Sequence, residues 1–270
     1  MSSSLPPEEF WRVLQPYTGL VTEAEPASRG FSSDLTALIR CEKGPFFVKA
    51  MRNRPGGRRD SLVREALVNP AVKPVAPALL WHAEDEGWIA LGFEVVEGRR
   101  ADFGPGSPDL AAVVDTLNRI SALDLPEVAQ DWPETRWDRF ARDKAEADLF
   151  RGDGLLHTDI NPNNLIISQN DTWAVDWAWP TRGAAFIDVA CLVIQLIAAG
   201  HAVQDAESWA VRCQAWRDAD PAAIDAFATA TFRMYRSQAR RFPDASWLEG
   251  MAGAARAWAV HRGVAEGAGT

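Results

Sequence analysis

LLHTDINPNNLIISQNDTWAVDWAWP, Leu155 to Pro180, is the stretch whose reading decides the fold. It carries His157, Asp159 and Asn164 in the order His-x-Asp-x4-Asn, followed by Asp176 between apolar neighbours. Leu155-Leu156 and Leu165-Ile166-Ile167 are short apolar runs that read as buried strand pieces, and Thr158 to Asn163, with Pro162, reads as a tight polar loop between them. Such a loop exposes Asp159 and returns the chain so that Asn164 faces the same side, while Trp173-Ala174-Val175 leads a further strand into Asp176. Phosphoryl transfer asks little covalent chemistry of a protein. It needs a carboxylate to orient a hydroxyl nucleophile and hard oxygen ligands to hold magnesium on nucleotide phosphates. Taken singly, Asp159 and Asn161 to Asn164 also suit an Asx turn and Asp176 a cap; the ordered set favours the phosphoryl-transfer reading.

These residues resemble the catalytic and metal-binding loops of the aminoglycoside phosphotransferase and choline kinase-like family, small-molecule relatives of the protein kinases. There a His-Gly-Asp-x4-Asn run is followed by Ile-Asp-Trp, matched here by His157-Thr158-Asp159 to Asn164 and by Val175-Asp176-Trp177. Thr158 departs from the usual Gly. Ala185-Phe186-Ile187-Asp188-Val189-Ala190 resembles the family's Asp-Leu-Ala element, which makes Asp188 a loop support. The resemblance implies a two-lobed α+β kinase-like fold, with a nucleotide-binding lobe over residues 1–97 and a helical lobe over residues 98–270. It implies Asp159 as the catalytic carboxylate, Asn164 and Asp176 as Mg2+ ligands, His157 as loop support, and ATP or GTP as phosphoryl donor.

The earlier chain supplies the remaining parts. Leu20-Val21-Thr22, Leu35 to Cys41 and Phe46 to Lys49 read as strands, with Lys43-Gly44-Pro45 as a turn. Between the first two lies Ala27 to Asp34, which suits a plain hairpin loop or, through Ser32 and Ser33 as donors, a cover for nucleotide phosphates; the resemblance favours the second. Lys49 ends an apolar strand, where an ammonium reaches either solvent or an anion. Arg59 to Val72 has helical periodicity with Glu65 in its middle, and the resemblance matches Lys49 and Glu65 to the family's strand lysine and helix glutamate. Leu79 to His82 and Gly87 to Val96 read as strands, and the backbone from Glu94 to Val96 resembles the family's base-binding hinge, with the domain boundary at Glu97-Gly98.

Helices then dominate: Pro6 to Gln15 near the start, and later Asp109 to Leu123, Trp137 to Phe150, Ile187 to Ala199, Asp205 to Arg217, Pro221 to Gln238 and Ser246 to Val264.

Composition bounds the rest. With 270 residues, 47% hydrophobic and 24% charged, the chain reads as a soluble globular protein with neither disordered nor fibrous character. The start lacks a basic region followed by an apolar run, and three distant cysteines form no Cys-x-x-Cys, so a cytoplasmic protein with idle thiols is expected. His82, His201 and His261 lack metal-ligand spacing. The net charge of −9 is concentrated in residues 101–180, with six Lys/Arg against fifteen Asp/Glu. Such a region either forms a solvated acidic face or draws metal ions and cationic substrates while repelling nucleic acid. The expected acceptor is a small-molecule hydroxyl, by family precedent that of an aminoglycoside or other amino-sugar antibiotic; a metabolic kinase of choline, homoserine or a sugar is the alternative, and a nucleotide-binding pseudokinase a further one. No nucleic-acid or membrane partner is expected.

Overall fold

The computed structural model describes residues 7–26 and 33–264. The fold is α+β, and the chain divides into two compact units: Met1–Glu97 with Val175–Trp179, and Gly98–Ala174 with Pro180–Thr270.

The first unit is built on one antiparallel sheet. Helix α1 (Glu8–Thr18) precedes β1 (Val21–Pro26), β2 (Leu35–Cys41) and β3 (Gly44–Arg52); helix α2 (Gly57–Val72) follows, then β4 (Leu79–Glu84) and β5 (Trp88–Phe93). The strand order is β1-β2-β3-β5-β4. Alternation along β3 sorts its side chains to two faces. Phe46, Val48 and Ala50 join Phe10 and Leu14 of α1 in one core. Phe47, Lys49 and Met51 take the other face, where Leu62, Val63 and Ala66 of α2 pack on Met51, Ile89, Leu91 and Phe93. Lys49 therefore sits on a central strand beneath α2, paired in register with Thr36 and Leu91. Asn69, 3% exposed, ties the end of α2 to the connector before β4: its amide donates to Pro77 O at 2.8 Å and its oxygen accepts the Leu79 amide at 2.7 Å. Helix α1 runs on through Pro16 to Thr18, past the end expected at Gln15.

In the second unit β6 (Arg99–Arg100) leads to α3 (Leu110–Ser121), α4 (Lys144–Asp148) and the short strands β7 (Gly154–Leu156), β8 (Leu165–Ile167), β9 (Thr172–Ala174) and β10 (Thr181–Gly183). β7 pairs with β10, and β8 lies between β6 and β9. Helices α5 (Phe186–Ala198), α6 (Val203–Ala210), α7 (Gln214–Arg217), α8 (Pro221–Arg241) and α9 (Ser246–His261) complete it. Among the described residues no helix is long and apolar enough to cross a membrane.

Two expected helices are broken. Within Trp137 to Phe150 the chain makes one 3-10 turn at Asp138–Phe140 and then the five-residue α4. The reason is an N-cap: Asp143 accepts the Glu146 amide at 2.9 Å, and Glu146 accepts the Arg142 amide just before it, so a new helix starts there. Asp205 to Arg217 divides into α6 and α7, because Asn118 of α3 accepts the Gln214 amide at 2.9 Å and caps the second piece from outside. α8 starts as its residues dictate, with Asp220 accepting the Ala222 amide and Pro221 in the first turn.

Candidate active site

In the first unit the Lys49 ammonium lies 2.7 Å from Glu65 Oε1 and 2.7 Å from Asp176 Oδ1. The Lys49 side chain is 11% exposed and that of Glu65 5%, so neither charge could remain there alone. Burial opposes the ammonium, but the Glu65 and Asp176 carboxylates outweigh it and hold the Lys49 pKa above its ordinary value. Burial pushes the Glu65 carboxyl up, with Lys49 pulling back and the Trp177 amide adding to that pull. Phe93 lends a ring face, its centroid 5.9 Å from Lys49 Nζ. The one positive charge of Lys49 is shared between two carboxylates, of which Asp176, its side chain 37% exposed, is the more open.

Other residues expected around the nucleotide behave differently. The Glu94 amide donates to Ala78 O and its carboxylate accepts the Ala78 amide, so this side chain secures the connector to β4. Val96 lies in the segment without regular structure after β5. Ser33 shares a 2.5 Å hydrogen bond with Thr36, and Ser32 lies outside the described residues.

In the second unit the loop between β7 and β8 is clamped from α5. Asp188, 3% exposed, accepts the His157 amide at 2.8 Å and the Thr158 amide at 2.6 Å. Burial pushes its carboxyl up, and the His157 ring, these two amides and Arg136 pull it back. Between them the two hydrogen bonds hold Thr158 at φ 64, a left-handed conformation that a β-branched residue resists. The Thr158 hydroxyl donates to His157 O at 2.6 Å. His157, 2% exposed, accepts the Asp159 amide on Nδ1 at 3.2 Å. The exposed Asp159 carboxylate is then fixed from both oxygens, by Asn161 Nδ2 at 3.0 Å and Asn164 Nδ2 at 2.8 Å. Because Asn164 spends its amide nitrogen on Asp159, its oxygen is the atom left for a metal. Asn164 in the second unit and Asp176 in the first each carry an oxygen of the kind that Mg2+ takes.

The two non-glycine residues described with positive φ are Thr158 in the second unit and Asp176 (φ 66) in the first. Strain of this kind collects at functional sites where surrounding contacts over-determine it. Composition did not point to it, although Thr in place of Gly at position 158 marked the spot. Trp177 is buried, whereas Trp179 is 44% exposed, with the Arg64 guanidinium 5.7 Å from its ring centroid.

Five of the fifteen acids of residues 101–180 pair with arginines, and of those arginines only Arg99 lies outside the region, so the region keeps most of its negative excess. Asp109 pairs with Arg99, Asp171 with Arg119, Asp138 with Arg151 and Asp143 with Arg142. Glu134, 1% exposed, accepts Arg136 Nε and Nη2 and the Thr181 hydroxyl; burial raises its carboxyl, yet these partners hold it below its ordinary value. Of the other histidines, His201 is buried with Nε2 2.9 Å from Phe103 O, and the three cysteines are free.

Neither a family model nor a curated protein matches this chain. Solved structures do. Choline kinase LicA from Streptococcus pneumoniae aligns at 12% identity over 93% of this chain and 97% of its own, with a TM-score of 0.64; it has also been solved with AMP. A thermostable mutant of aminoglycoside phosphotransferase APH(4)-Ia aligns at 16% identity over 96% of this chain and 99% of that one, TM-score 0.61. A microcompartment-associated aminopropanol kinase aligns at 14% identity over 95% and 99%, TM-score 0.61.

Proposed function

We propose that this chain, whose fold is the one shared by choline kinase and the aminoglycoside phosphotransferases, is a small-molecule kinase that moves the γ-phosphoryl group of ATP or GTP to a hydroxyl. The observation that carries the reading is the buried ammonium of Lys49 held 2.7 Å from both Glu65 and Asp176. A cation so placed, on a strand and braced by a helix acid, suits the α- and β-phosphates of a nucleotide. Asn164 and Asp176 would hold Mg2+, which neutralises charge on the phosphate oxygens when bound. Glu94 and Val96 mark the backbone that would face the base, and Ser32 and Ser33 the loop that would cover the phosphates.

Asp159 orients the acceptor hydroxyl and receives its proton, as a positioned carboxylate does in general base catalysis. The acceptor oxygen forms a bond to the γ-phosphorus while the bond from that phosphorus to the β,γ-bridging oxygen breaks. A nucleoside diphosphate leaves, the phosphorylated product carries the transferred group, and Asp159 returns the proton to solvent. Asn161 and Asn164 keep the carboxylate turned toward the hydroxyl, and His157 and Asp188 hold the loop.

The acceptor we propose is an aminoglycoside-like or other amino-sugar antibiotic, supported by the aminoglycoside phosphotransferase among the matched structures. A metabolic acceptor such as choline, homoserine or a sugar is the second reading, supported by the choline kinase among the matched structures. Nucleoside diphosphate release across cationic, zwitterionic and neutral alcohols separates them. In the same assay Asp159→Asn abolishes turnover while nucleotide still binds; near-normal turnover in that variant rejects the kinase assignment.

A further inference from the structure

Helix α2 is weakly made by its own sequence. Gly56 stands at its N-cap with no side chain to cap it, and Pro70 inside it lacks the amide that would bond to Ala66 O. Such a helix takes its place from tertiary contacts rather than from propensity. Glu65 and Asn69 lie one turn apart on its buried face. Glu65 reaches Lys49 at 2.7 Å, whereas Asn69 reaches the connector that leads into β4.

That connector is gripped from two sides. From α2, Asn69 donates to Pro77 O at 2.8 Å and accepts the Leu79 amide at 2.7 Å. From the end of β5, Glu94 holds the residue between them: its carboxylate accepts the Ala78 amide at 2.7 Å and its own amide donates to Ala78 O at 2.9 Å. Four hydrogen bonds therefore fall on three consecutive residues. All of this lies in the first unit, and it makes a run of short contacts from the Glu94 backbone through Ala78 and Leu79 to Asn69, then one helical turn to Glu65 and on to Lys49. The last link is the sensitive one. A charged hydrogen bond weakens steeply with distance, and Lys49 has Asp176 at the same 2.7 Å as a competing partner, so an α2 that drifts outward gives the ammonium to Asp176.

We propose, on the kinase reading above, that Asn69 and Glu94 are positioning residues for the nucleotide, which tie the backbone facing the base to the helix acid that braces the phosphate-binding lysine. A base seated against residues 94 to 96 stiffens the Glu94 end, the connector carries that to α2, and Glu65 holds Lys49 to the phosphates. A loose connector leaves Lys49 with Asp176, where the ammonium covers an oxygen that the metal needs. Base and phosphates of one nucleotide are thereby bound with positive coupling, each half strengthening the hold on the other.

The test uses the full chain. Amide hydrogen exchange without nucleotide reads the tie itself. Glu94→Ala speeds exchange several-fold in the α2 segment around Glu65, which lies across the connector from it, while α5 in the second unit keeps its wild-type rate. Glu94→Gln, with an oxygen still available to the Ala78 amide, brings α2 most of the way back. Asn69→Ala gives the same pattern as Glu94→Ala and serves if that variant does not fold. Calorimetry with ADP in the presence of Mg2+ reads the consequence: each single variant binds ADP on the order of tenfold more weakly. Asn69→Ala/Glu94→Ala binds it little worse than either, since both act through one connector. Inorganic pyrophosphate, which has no base to transmit, loses less. Exchange of α2 at the wild-type rate in both single variants, exchange rising equally in both units, additive losses in the double variant, or pyrophosphate losing as much as ADP overturns the inference. A wild type that binds no ADP overturns instead the kinase reading.

Discussion

Replacing Asp188 by Ala removes the carboxylate that accepts the His157 and Thr158 amides at 2.8 and 2.6 Å. Each buried amide left without a partner costs about 1–3 kcal/mol, so the gross loss is roughly 2–6 kcal/mol. Two effects offset part of it. A buried carboxylate is no longer desolvated, and Thr158, released from φ 64, recovers part of the ~1–2 kcal/mol of left-handed strain. The net is about 2–4 kcal/mol, a large share of the ~5–15 kcal/mol that holds a typical protein folded. At roughly 2–4 °C per kcal/mol for a chain of this size, Tm falls by about 5–15 °C. Turnover falls further than stability alone explains, since Thr158 precedes Asp159 and a relaxed loop misdirects that carboxylate. Thermal melts and single-temperature kinetics on folded protein check both. The reasoning also sets a coupling: Thr158→Gly removes strain only while Asp188 enforces it, so it helps stability more in wild type than in Asp188→Ala. Identical effects in both backgrounds, or an Asp188→Ala protein within about 1 kcal/mol of wild type, would refute the clamp.

Lys49→Met leaves Glu65 buried without its cation and destabilises by about 3–5 kcal/mol, while Lys49→Met/Glu65→Leu recovers much of that in denaturant titrations. Burial pushes the Cys213 thiol up from 9.0 to about 12, so the folded-state pKa lies above the unfolded one. Its contribution is therefore full below pH 9 and is lost as pH rises toward 12; Cys213→Ala shows a shallower fall in stability over that window. Gly92→Ala drives a methyl into the Trp81 indole across the β4–β5 pair and costs about 1–3 kcal/mol, read from the urea midpoint.

The loop between β7 and β8 was legible because its parts are neighbours along the chain. Asp159 and Asn164 are five residues apart, and the turn between them is written in Asn161 and Pro162, so local sequence sets which side chains meet. The Lys49–Glu65 pair was readable for a related reason: β3 alternates, α2 has one apolar face, and a buried ammonium demands an acid. The helix breaks were not equally hidden. The Asp143 cap stands in the sequence and was passed over in favour of apolar spacing, whereas the break before α7 is made by Asn118, 96 residues away.

What the sequence determined by itself is thus the short-range structure: the loop, the carboxylate and amides that meet in it, and the periodicities that make an α+β fold. Tertiary structure alone decided that Asp188 clamps Thr158 into a left-handed turn and that Asp171 meets Arg119 and Asp138 meets Arg151. The physical reason is that hydrogen bonds and ion pairs act over a few ångströms in space, and folding brings within that reach groups that the chain keeps dozens of residues apart.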